Sequence, residues 1–140
     1  VSIHLDDSKF PLIVVTFSGS TSDADFETYL TDLTRVSMRD GPKAFLFDAR
    51  AATSTPPSQR KRMAQWMMHD MAKARGGFAC VAFVFSSAVV RGVLTAILWL
   101  APMRLKHGIF AEIEEANQFC LTQIAAKRAR AAQRAAHAGG

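Results

Sequence analysis

The sequence carries few residues of the kinds that do chemistry. Its 140 residues include two cysteines and four histidines. Cys80 and Cys120 lie far apart, each inside an apolar segment, and no Cys-x-x-Cys occurs. A disulfide framework is thereby excluded, and a reducing cytoplasm is the expected compartment. His4, His69, His107 and His137 have no metal-ligand spacing with one another or with a cysteine. There is no Gly-x-Ser-x-Gly elbow, no Gly-x-Gly-x-x-Gly and no Gly-Lys-Ser/Thr phosphate loop. His69 and Asp70 are neighbours on a predicted helix, so their side chains diverge. Neither cysteine has an adjacent basic residue to lower its pKa, and both read as core. With no acid, base, nucleophile or metal set in view, the chain is expected to be no enzyme and to hold no cofactor and no metal. No signal peptide is expected ahead of the first strand. One stretch, Phe78 to Met103, has a single charge, Arg91, and is long enough to resemble a membrane span. The Ser86-Ser87 pair, Arg91 and a change from β-rich to helix-rich composition assign it to the core instead. No transmembrane segment is expected.

That stretch organises the rest. Cys80 to Phe85 is apolar on both alternating faces, as in a central strand covered on both sides. Ser86 or Ser87 caps a helix from Ala88 to Leu100 whose polar side chains are Arg91 and Thr95 alone. Pro102 ends it. Upstream, Ser2 to Leu5 reads as an edge strand, and Pro11 to Phe17 as a β-branched strand. Ser22 and Asp25 resemble a capping box before an amphipathic helix carrying Phe26, Tyr29, Leu30, Leu33 and Val36. Lys43 to Asp48 is another strand, followed by a loop from Ala49 to Pro57. A helix is predicted from about Gln59 to Arg75, with Met63, Trp66, Met67, Met71 and Ala74 on its inner face. A short strand near Gly108 to Phe110 precedes a last helix with Ile113, Ala116, Cys120 and Ile124 inward. Glu112, Glu114 and Glu115 suit its start.

The predicted order is β-β-α-β-α-β-α-β-α. It gives a single α/β domain with a mixed, mostly parallel sheet and about four helices packed on it. The domain spans residues 1–126. Residues 127–140 form a basic, Ala/Arg-rich helical extension or tail, expected to project or fray for want of an apolar stripe.

Charge is unevenly placed. The formal net charge is +5, yet residues 1–126 hold 13 basic and 12 acidic side chains. Nucleic acid is therefore not expected to bind through the folded body. Lys127, Arg128, Arg130 and Arg134 supply the excess. Either they form a solvated helix end where cations suit the dipole, or they touch nucleic acid or anionic lipid. Arg60, Lys61 and Arg62 crowd the first turn of a helix, against its dipole. They are either outward-pointing side chains or a site for an acidic partner or phosphate beside Thr53, Ser54 and Thr55. Met63, Met67, Met68 and Met71 read as adaptable core or as a pliable apolar surface.

The strand KAFLFDAR entering a Ser/Thr loop and helix, with VAFVFSSAVVRGVLTAILWL and then IFAEIEEANQFC, resembles STAS-type domains. More closely, it is similar to the bacterial group between STAS domains and the CRAL-TRIO lipid-binding fold. The resemblance covers about Val1 to Ala125. It implies a non-catalytic regulatory module, like the anti-sigma-factor antagonists that bind a partner through the loop and helix after a central strand. Those proteins are switched by phosphorylation just after that strand. Here Ala49-Arg50 stands where the family places its serine, and hydroxyls arrive only at Thr53, Ser54 and Thr55. The implied docking and switch set is Asp48, Arg50, Thr53, Ser54, Thr55, Arg60, Lys61 and Arg62, contacting a protein partner. The CRAL-TRIO side implies instead a small apolar ligand against Met63, Met67, Met71 and Trp99. A homodimer through the Val89–Leu100 helix, or its end at Leu98 to Met103, is a further expectation, because one sheet covers one side of an apolar helix.

Overall fold

The computed structural model describes residues 2–53, 56–70, 73, 77–88, 90–92 and 105–138. β1 (Ile3–Asp6) and β2 (Leu12–Gly19) form an antiparallel pair. Asp6 Oδ1 accepts the Ser8 N–H at 2.9 Å in the turn between them. β3 (Lys43–Ala52), β4 (Phe78–Val84) and β5 (His107–Phe110) then add in parallel, giving the strand order β1-β2-β3-β4-β5. Three helices are described from end to end: α1 (Asp23–Ser37), α2 (Pro57–His69) and α3 (Ile113–Ala138).

Strand order that advances steadily, with right-handed crossovers, puts successive crossover helices on one face of the sheet. α1 and α2 accordingly share a face. Phe26, Tyr29, Leu30, Leu33, Val36 and Trp66 pack there with Ile13, Val15, Phe45, Phe47 and Val81. α3 covers the other face, with Ala116, Cys120 and Ile124 against Leu12, Ala44, Leu46, Cys80, Ala82 and Val84. The central strands are buried from both sides, which explains their unbroken apolar sequence.

Local signals set most boundaries. Ser22 Oγ accepts the Asp25 N–H at 3.1 Å and caps α1. Ser87 Oγ accepts the Val90 N–H at 3.3 Å after β4, and residues 88 and 90–92 are helical. Arg91 turns back, its Nη1 donating to the carbonyls of Phe85 (2.7 Å) and Ser86 (2.9 Å). The remainder of that expected helix lies outside the described residues, with Val89, Trp99 and the dimer segment Leu98 to Met103. No helix among the described residues is long and apolar enough to cross a membrane.

Three expected boundaries are corrected. β3 does not end at Asp48 but continues to Ala52. β2 advances two residues between its pairings with Asp48 and Ala51 while β3 advances three, so one extra residue is absorbed as an irregularity and pairing resumes at Ser18 and Gly19. The connection to α2 shrinks to residues 53–56. α2 starts at Pro57, where a first-turn proline loses no hydrogen bond, and stops at His69, with the Asp70 N–H closing on the Trp66 carbonyl at 2.8 Å. α3 runs unbroken to Ala138, although its fully buried residues end at Ile124.

Candidate functional site

The C-terminal ends of β2, β3, β4 and β5 lie at one end of the sheet, since all four run parallel. α1, α2 and α3 all begin there. Most of the sequence-derived docking set lies at this end.

Asp48 is buried at 6 % exposure near the middle of β3. Its Oδ1 accepts Arg50 Nε at 2.9 Å and its Oδ2 accepts Arg50 Nη2 at 2.8 Å, while the Arg50 N–H reaches Oδ1 at 3.2 Å. The Arg50 hydrogen bonds outweigh burial and hold the Asp48 carboxyl below the usual carboxylate range. The same bonds, then the Asp48 charge, and more weakly Glu114 and Glu112, raise Arg50. Asp48 and Arg50 thus form a bidentate clasp across the bulge in β3. Thr53 follows, exposed, its N–H donating to the Gly19 carbonyl at 3.0 Å. Ser54 and Thr55 lie outside the described residues.

The three cations opening α2 divide. Arg62 pairs with Glu27 of α1 through Nε–Oε1 (3.0 Å) and Nη2–Oε2 (3.3 Å). Arg60 and Lys61 are exposed. Gln59, absent from the sequence-derived set, is buried. It donates to the Thr21 carbonyl at 2.7 Å and to Asp23 Oδ1 at 3.0 Å, tying the first turn of α2 to the start of α1. Its signal was positional: Gln59, Met63 and Trp66 share one helical face. Further along, Trp66 Nε1 donates to Thr34 Oγ1 at 3.0 Å. The opposite face of α2 bears Lys61, Ala64, Gln65 and Met68, and Met68 is 74 % exposed.

The residues proposed for an apolar ligand are placed differently. Met63 and Met67 are half-buried against the α1–α2 face of the core, with Tyr29 OH at 3.8 Å from Met63 Sδ. Met71 and Trp99 lie outside the described residues. A cleft of about 120 Å³ lies between α1 and α2, beside Glu27, Thr31, Thr34, Arg62, Trp66 and Asp70. Its walls are largely polar, and ligand pockets usually hold roughly 300–1,000 Å³.

Cys80 and Cys120 are both free and fully buried between the sheet and α3. Cys120 Sγ donates to the Phe45 carbonyl at 4.0 Å, and the neighbouring Cys80 thiol together with burial pushes the Cys120 thiol far up. Among the described residues no three His, Cys, Asp or Glu side chains are grouped as a metal site requires.

No protein-family model matches the sequence, and no curated protein does either. Among solved structures, the chain is similar to an uncharacterized protein of the DUF3478 family with a SpoIIAA-like fold, from Shewanella loihica PV-4. The two share 12 % identity at a TM-score of 0.62, over 84 % of this chain and 91 % of that one. At that identity the likeness concerns the fold: this chain has the SpoIIAA-like architecture, the STAS or anti-sigma-factor-antagonist fold. The CRAL-TRIO side of the sequence resemblance finds no support in it.

Proposed function

We propose that the chain is a non-catalytic regulatory module of the STAS type that docks a protein partner on the end of β3 and along the outer face of α2. The observation that carries this reading is the division of α2 into a braced and a bare face. Gln59 and Arg62 fix the helix start to α1. Arg60, Lys61 and Met68 stand outward on the same rigid element. A pre-organised surface loses little conformational entropy on binding. An exposed methionine two turns along the helix from two exposed cations suits a partner with an apolar contact and flanking carboxylates. Thr53, at the end of β3, is the described hydroxyl best placed to modulate such docking by phosphorylation. Its added charge would act on Arg60 and Lys61, because Arg50 and Arg62 already hold carboxylates. The two free, buried cysteines fit a reducing compartment.

The test is site-specific photo-cross-linking in the native host, with the probe at Lys61 or Met68 and, as the comparison, at Thr122 on α3. One discrete protein adduct from the α2 positions, lost in the Arg60→Glu/Lys61→Glu variant, is the expected result. Adducts no stronger from α2 than from Thr122 would refute the docking surface.

A further inference from the structure

The second half of α3 has no part in the site above. Residues 128–138 are helical and exposed throughout, so the helix overhangs the far end of the sheet by about 16 Å. Lys127, Arg130, Arg134 and His137 are spaced i, i+3, i+7 and i+10. They share a stripe that continues the face on which Ala116, Cys120 and Ile124 meet the sheet. Lys127 marks the edge: its Nζ would stand 3.4 Å from a Cβ on Gly77, just before β4. Lys106, exposed, precedes β5 at the same end. Arg128, Arg130 and Arg134 have no ion-pair partner among the described residues, and no acidic residue follows Glu115.

We propose that this overhanging helix is an arm that binds nucleic acid through its phosphates. The composition selects the occupant. Residues 125–138 contain alanine, lysine, arginine, glutamine and histidine and no large apolar side chain. Insertion into a membrane interface needs tryptophan, phenylalanine or leucine on the apolar face, so an anionic bilayer is a poor match. A protein partner would look for buried aromatic or aliphatic anchors, and none is present. Phosphate binding requires neither. Alanines keep the helix slim, and a helix fits the roughly 12 Å major groove of duplex DNA. Base-edge readers on the arm are few, its arginines, Lys127 and Gln133, and phosphate contacts carry no sequence information, so the binding is largely insensitive to sequence. The arm belongs to α3, on the sheet face opposite the one α2 covers, so the two sites stand or fall separately.

The experiment is fluorescence anisotropy of a labelled random-sequence DNA duplex titrated with the full chain across a salt series. Neutralising about four phosphates predicts a log–log salt slope near −3.6 and roughly a hundredfold loss of affinity between about 50 and 200 mM salt. The quadruple variant Lys127→Gln, Arg128→Gln, Arg130→Gln, Arg134→Gln keeps good helix formers in place and should bind at least about tenfold more weakly with a flatter slope. Far-UV circular dichroism checks its helix. If the variant loses helix, the wild-type salt slope alone decides. Phosphatidylserine–phosphatidylcholine vesicles form the second arm. Failure of the wild type to bind duplex at low salt, a slope near zero, equal binding by a folded variant, or vesicle binding without duplex binding would each overturn the proposal.

Discussion

Replacing Arg50 with alanine isolates the clasp that shapes the docking end. Asp48 is almost wholly buried, whereas the Arg50 side chain is 38 % exposed. Breaking a fully buried pair by removing one partner costs about 3–5 kcal/mol. An exposed pair contributes about 0–1 kcal/mol. This pair is intermediate, so Arg50→Ala should cost about 2 kcal/mol at neutral pH, most of it the stranded carboxylate. For a domain of this size that corresponds to a Tm lower by about 6–8 °C. The pH dependence follows from the direction of the Asp48 shift. Its folded pKa is depressed, so the clasp's stabilisation is full above the unfolded carboxyl value and fades as pH falls through the folded one. In Arg50→Ala burial acts without the guanidinium, and the Asp48 pKa rises. The stability gap between wild type and variant is therefore widest at neutral pH and narrows as Asp48 protonates in the variant. Adding Asp48→Asn to Arg50→Ala should recover about half of the loss by removing the stranded charge. Urea melts at neutral and mildly acidic pH measure all three proteins. A neutral-pH loss below about 0.5 kcal/mol, or a gap that does not change with pH, would refute the reasoning.

Thr34→Val leaves the buried Trp66 Nε1 without its acceptor and should cost about 1–3 kcal/mol in a urea melt. Gly108→Ala places a Cβ 2.6 Å from Phe110 Cε2, and that ring already packs on Phe119 with centroids 5.3 Å apart; a loss of about 1–3 kcal/mol is expected from thermal melting. Cys80 and Cys120 should resist a soluble disulfide reagent in the native protein and react only on unfolding, which a colorimetric thiol assay follows across a denaturant series. Truncation after Ala126 should move the Tm by under about 2 °C, because residues 128–138 bury no apolar face.

What the sequence revealed follows the range of each interaction. Strands β3 and β4 were legible because burial on both faces leaves a continuous apolar run. Ser22 and Ser87 were legible as caps because a cap acts within three residues. The extension of β3 through Ala-Arg-Ala-Ala was not, since it depends on β2 offering Ser18 and Gly19 as partners past the bulge. Nothing in that tetrapeptide favours a strand locally. Arg62 and Glu27 are 35 positions apart, so their pairing is visible only once α1 and α2 share a face. The crowding of Arg60, Lys61 and Arg62 therefore looked like three equivalent cations, whereas one is a brace and two are exposed. Cys80 and Cys120 looked unrelated for the same reason, being brought together by the packing of α3 on β4.

The most direct measurement of the central claim is the affinity of the cross-linked partner for the wild type, for Met68→Ser and for the Arg60→Glu/Lys61→Glu variant, by isothermal titration calorimetry. Both changes fall on exposed side chains, and glutamates suit the start of α2, so neither variant should melt below the wild type. The docking account predicts a tenfold or greater weakening for the charge reversal, about 1.4 kcal/mol, and a smaller loss for Met68→Ser. Unchanged affinity in both variants, with the fold intact, would contradict it and move the partner's contact away from α2.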